Sequence, residues 1–67
     1  VKIELNGKVH ELPEHVKTTA QLLAFLELQN RIVIVEINQD IVLKDKYESH
    51  QLNTGDKVEL IHFVGGG

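Results

Sequence analysis

Sixty-seven residues hold one small domain and leave no room for two lobes with a cleft between them. Seven Lys and Arg against ten Asp and Glu give a net charge of -3 and a pI near 5.7, which argues against non-specific DNA or RNA binding, since that needs a basic face. Apolar residues make up 42% of the chain, so it should fold, and with no Cys it has neither disulfides nor thiol chemistry to assist a small core.

Along the chain, Val1, Ile3 and Leu5 alternate with Lys2 and Glu4, the period of a half-buried strand rather than of a signal peptide. Together with the lack of any apolar run near the ~20 residues of a membrane span, this leads to the expectation of a cytoplasmic protein. Asn6-Gly7 suits a type I′ hairpin turn, and residues 8–12 return as a second strand that Pro13 should end.

Thr18 and Gln21 form a capping-box pattern, and Leu22, Leu23, Phe25 and Leu26 fall in one arc of the helix that follows. Leu28 lies outside that arc and is expected under the helix end, with Asn30 as a left-handed stop. Residues 32–37 are β-branched and apolar except for Glu36, which predicts an interior strand. A turn at 38–40 leads to a short strand at 41–43, then a polar crossing at 44–51 around Tyr47. Asn53-Thr54-Gly55-Asp56 is a turn before a last strand at 57–64. The predicted order is β-β-α-β-β-β, a mixed four- to five-stranded sheet with one helix on one face and the other face at least partly open. The expected division is a domain over 1–64 and a flexible glycine tail over 65–67.

Side-chain chemistry is sparse. His10, His15, His50 and His62 stand at no metal-binding spacing and read as surface or rim residues. Ser49 and His50 are neighbours in sequence, not a triad. Thr18 and Thr54 are taken up by a cap and a turn, and a chain this short offers Asp45 and Glu48 little pocket to raise a carboxyl pKa. Gly65-Gly66-Gly67 fails as a phosphate loop because no helix follows it. As a tail, three extended glycines reach about 10 Å beyond the last strand. Lacking Cβ atoms, they fit channels closed to other residues. Their terminal carboxylate is a poor electrophile until made into a mixed anhydride, as by adenylation with ATP. A frayed terminus is the plain alternative.

The element order, the T-x-x-L-L run from Thr19 to Leu23, Gly55-Asp56 before the last strand, and a terminal Gly66-Gly67 together resemble the ubiquitin-like β-grasp sulfur carriers. The likeness covers the whole chain and is nearest to the ThiS family of thiamine thiazole synthesis. It is carried by residues 2–7 (KIELNG), 32–38 (IVIVEIN) and 62–67 (HFVGGG). The resemblance implies an α+β, β-grasp fold and a carrier that is a co-substrate, not a catalyst. It further implies that a ThiF-type, E1-like enzyme adenylates the Gly67 carboxylate with MgATP, the protein itself binding no cofactor or metal. Sulfur from a persulfide on a donor protein then leaves a Gly67 thiocarboxylate, and a ThiG-type thiazole synthase takes that sulfur. Gly65 and Gly66 are the tail that delivers it; Gly65 is an addition to the minimal motif.

The small subunit of molybdopterin synthase is the alternative carrier, although its tails often carry prolines where Phe63-Val64 stand here. A ubiquitin-type modifier lacks support from a tail arginine. A plain β-grasp interaction module with an inert tail is the alternative of another class. In the last strand, Val58, Leu60, His62 and Val64 share one parity and Ile61 and Phe63 the other. With Val58 and Leu60 toward the helix, Ile61 and Phe63 lie on the open face. Ile32 and Ile34 join them if the third strand runs alongside in register, making a partner-docking patch beside the tail.

Overall fold

A computed structural model describes the backbone of residues 1–62 and the side chains of residues 1–61. The expected continuation of the last strand to residue 64, including Phe63, and the glycine tail 65–67 lie outside the described residues. Strands β1 (Lys2–Leu5) and β2 (Lys8–Glu11) form the first hairpin. Asn6 and Gly7 take φ of 48° and 86°, the paired left-handed conformation of a type I′ turn. Helix α1 (Thr19–Phe25) follows, then β3 (Val33–Ile37), β4 (Asp40–Val42), a 3-10 turn (Lys44–Lys46) and β5 (Lys57–His62).

The five strands make one sheet in the order β2-β1-β5-β3-β4. β5 runs parallel to β1 and antiparallel to β3, and both hairpins are antiparallel. The helix lies on one face. Ile3, Leu5, Val35, Ile37, Val42, Val58 and Leu60 bury their side chains with Leu22 and Leu23 of the helix and Leu12, Val16 and Leu52 of the loops. The element order predicts this sheet with one helix on one face, and it is the β-grasp fold that the resemblance implies.

The capping box is present in full. Gln21 N–H donates to Thr18 Oγ1 at 3.2 Å, and Gln21 Oε1 accepts from Thr18 N–H at 3.0 Å and Lys17 N–H at 2.8 Å. The helix is nevertheless shorter than predicted. Its left-handed stop is Glu27 (φ 60°), not Asn30. Glu27 N–H donates to Ala24 O at 3.0 Å and Leu28 N–H to Leu23 O at 2.7 Å, the paired bonds of a Schellman motif. Leu28 then packs on the core as expected. With the helix ending at Phe25, the buried stripe is Thr19, Leu22, Leu23 and, in part, Leu26, at i, i+3, i+4 and i+7. Phe25 falls on the shoulder of that stripe and is 47% exposed, which corrects its assignment to the buried arc.

Besides β2, which ends at Glu11 rather than at residue 12, two further strands shift by one residue. Ile32 precedes β3 rather than beginning it, and β4 spans Asp40–Val42 instead of 41–43. The cause of the second shift is a two-residue turn: Asn38 and Gln39 take φ of 53° and 75°, so Asp40 pairs directly with Ile37. A left-handed residue other than glycine costs about 1–2 kcal/mol, partly offset by glycine's larger loss of backbone freedom. Glu27→Gly is therefore expected to stabilise the domain by about 0.5–1 kcal/mol, read as a higher denaturant midpoint with an unchanged slope.

Candidate functional site

Alternation along β5 gives its two faces different tasks. Val58 and Leu60 are buried against the helix side, whereas Lys57, Glu59 and Ile61 point to the open face. β3 adds Ile34 and Glu36 to that face, and β4 adds Ile41. The β3–β5 register sets Ile34 opposite Ile61 and Glu36 opposite Glu59. The β3–β4 register sets Ile41 beside Glu36. Ile34 and Ile61, two of the four residues read as a docking patch, are thus brought together as direct neighbours, with Ile61 47% exposed.

Of the other two, only Ile32 is among the described residues, and it does not join them. Ile32 is highly exposed and helps to line a hollow of about 360 Å³ with Leu23, Leu28, Val33 and Tyr47, at the end of the helix. Phe63 and the tail residues Gly65, Gly66 and Gly67 lie outside the described residues. Ile41 escaped the sequence reading of the patch; the alternation of its short strand carried the signal, since Val42 is buried and Ile41 is 62% exposed.

Both hairpin turns hold β5 in this setting. Asn6 N–H donates to Val58 O at 2.9 Å, and Asn6 Oδ1 accepts from Leu60 N–H at 2.9 Å. Asn38 N–H donates to Lys57 O at 2.8 Å, and Asn38 Oδ1 accepts from Lys57 N–H at 3.0 Å. Asn38 Nδ2–H also donates at 2.9 Å to Oδ1 of the buried Asp56 carboxylate, whose Oδ2 accepts from Asn53 N–H at 2.8 Å. Each asparagine supplies the left-handed turn conformation and a side-chain oxygen that ends an orphan N–H of the central strand. Sequence reading assigned both residues to turns alone.

The histidines are dispersed. His10 and His15 are exposed, and His50 is half-buried, its backbone O accepting from Thr19 N–H at 3.0 Å. No group of three metal-ligating side chains occurs among the described residues. No helix among them is long and apolar enough to cross a membrane.

Comparison with known proteins bears on what this frame carries. The model of the ThiS family matches residues 3–67. The sulfur carrier protein ThiS of Bacillus subtilis (strain 168) is 43% identical over 65 residues, covering 97% of this chain and 98% of that protein. The crystal structure of a thiamine biosynthesis protein (ThiS) from Geobacter metallireducens superposes with a TM-score of 0.82 at 28% identity, each chain covered in full. A thiazole synthase of Paramagnetospirillum magneticum is 37% identical over 67 residues, all of this chain but only 20% of that enzyme. Fold and relatives define a β-grasp sulfur carrier rather than a catalyst. The chain belongs to the ThiS family, the sulfur carriers of thiamine biosynthesis.

Two contrasts test the assignment of faces and clamps. Leu60→Ala should cost about 2–5 kcal/mol, whereas Ile61→Ala, one residue on, should leave the melting temperature almost unchanged. Asn6→Gly keeps the turn but strips an acceptor from Leu60 N–H, an expected loss of about 1–2 kcal/mol. Asn6→Ala adds the left-handed penalty and should cost about 1 kcal/mol more. Urea unfolding of the four variants measures all these differences.

Proposed function

We propose that the chain carries sulfur as a thiocarboxylate on Gly67. A ThiF-type enzyme uses MgATP to join the Gly67 carboxylate to AMP, with pyrophosphate leaving. A persulfide sulfur from a donor protein displaces AMP, and a thiol reduces the resulting acyl disulfide to the thiocarboxylate. A ThiG-type thiazole synthase receives the sulfur during thiazole formation. Activation is required because a free carboxylate, with a reference pKa of about 3.3–3.7, is anionic and resists nucleophiles at neutral pH.

The observation that carries this reading is the family match, which runs to residue 67 and so includes Gly66 and Gly67. The thiazole synthase link draws on the P. magneticum enzyme, a fifth of which resembles this whole chain. Ile34 and Ile61 are the proposed centre of the docking face for both enzymes. Gly65 and Gly66 have no side chain to obstruct a narrow channel leading to a partner's reacting atoms.

The test is an intact-mass measurement after incubation with MgATP, the adenylating enzyme and a sulfur source. The mass is expected to rise by the difference between sulfur and oxygen, and fragmentation should place the change on Gly67. Removing Gly66-Gly67 should abolish the change and leave the unfolding curve intact. Sulfur on another residue, or full carrier activity in the shortened chain, would overturn the reading.

A further inference from the structure

We propose that the middle of the open sheet face receives one arginine or lysine side chain of a partner protein, held between Glu36 and Glu59 and ringed by Ile34, Ile41 and Ile61. The inference rests on the reading of this face as the docking surface and names what the partner must present there.

Glu36 and Glu59 are directly opposed on the two inner strands β3 and β5. Residues so placed have Cβ atoms about 4.5–5.5 Å apart, and like charges in that position oppose strand pairing. The ion pair among the described residues joins the Val1 ammonium to Glu11, away from both carboxylates. Lys57 shares the face, but it stands one row further along β5, where the parallel register sets it beside Glu4. An acidic pair is thus maintained at the sheet's centre against its own repulsion.

Its surroundings restrict the occupant. The next row of the face is the Ile34–Ile61 pair, and Ile41 flanks Glu36 on the other side. Ile41 is 62% and Ile61 47% exposed. A flat protein surface covering these side chains removes water from the carboxylates as well, and the two charges then require a cation with several donors. Arg and Lys meet that need, and their apolar stems suit the isoleucine ring. A second copy of this chain is disfavoured, because a face-to-face pair would set four carboxylates together within a protein already at -3. A bare metal ion is disfavoured too, since two carboxylates without a third ligand supply too few oxygens.

The experiment measures binding of the full chain to its adenylating enzyme and, separately, to its thiazole synthase, at low and high salt. The variants are Glu36→Gln, Glu59→Gln, the double variant and Ile61→Asp. The double variant should melt at or above the wild-type temperature, since repulsion is relieved. Its affinity for at least one enzyme should fall about tenfold or more, with a flatter salt dependence. Loss of binding in Ile61→Asp with full binding to both enzymes in the double variant overturns the cation inference and leaves the docking face standing. Full binding of Ile61→Asp to both enzymes overturns the docking face itself and this inference with it. A lower melting temperature in the double variant would mark the pair as structural. Mg²⁺ shifting the Glu36 and Glu59 amide resonances, or self-association that the double variant abolishes, would name a different occupant and equally overturn the proposal.

Discussion

Everything in this domain depends on β5 lying between two hairpins that do not touch each other in the sheet. β1–β2 and β3–β4 each border only the last strand, so neither hairpin joins a common core until Val58 and Leu60 are in place. The two turns meet this need in the same way. Asn6 and Asn38 are left-handed turn residues, and each offers a side-chain oxygen to a backbone N–H of β5. Hairpin closure and strand capture are therefore one interaction repeated on both sides. Asp56 reinforces one of them by holding the Asn38 amide while also accepting from Asn53 at the turn that launches β5.

This capture has a functional corollary. A strand clamped on both sides has a fixed register, and register determines which side chains reach the open face. The same bonds that bury Val58 and Leu60 therefore set Ile61 against Ile34 and Glu59 against Glu36. The composition of the open face is thus specified by the core rather than by loops.

Much of this was legible because local chemistry and long-range packing agree. Thr18 and Gln21 announce the helix start through a cap that needs no tertiary help, and Asn6-Gly7 is a turn in any context. Alternation over 57–60 pointed Val58 and Leu60 to one face of β5, and the parity of the strand then carried Ile61 to the other. The misses share a different origin. Glu27 stops the helix in a Schellman turn that brings Leu28 onto the core, a packing demand that overrides the residue's dislike of positive φ. Gln39 tolerates a left-handed turn for the sake of the Ile37–Asp40 pairing. Asn6 bonds to a residue 54 positions away, which no local pattern reveals. The candidate site divided likewise: the sheet face followed from periodicity, whereas the sulfur chemistry expected at Gly67 rested on family resemblance, since glycines carry no chemical signature of their own.

The sheet's two margins set a limit on how this protein can be recognised. β2 is exposed along all four residues, carries Lys8 and Glu11, and is followed within two positions by Pro13, which has no N–H to offer. β4 is three residues long and starts with a charge at Asp40. Charged, short or proline-bounded borders are poor templates for an added strand. Recognition by β-augmentation, in which a peptide zips onto an exposed border through main-chain bonds, is thereby discouraged on both sides. The same features oppose fibrillar stacking of one copy of the chain on another.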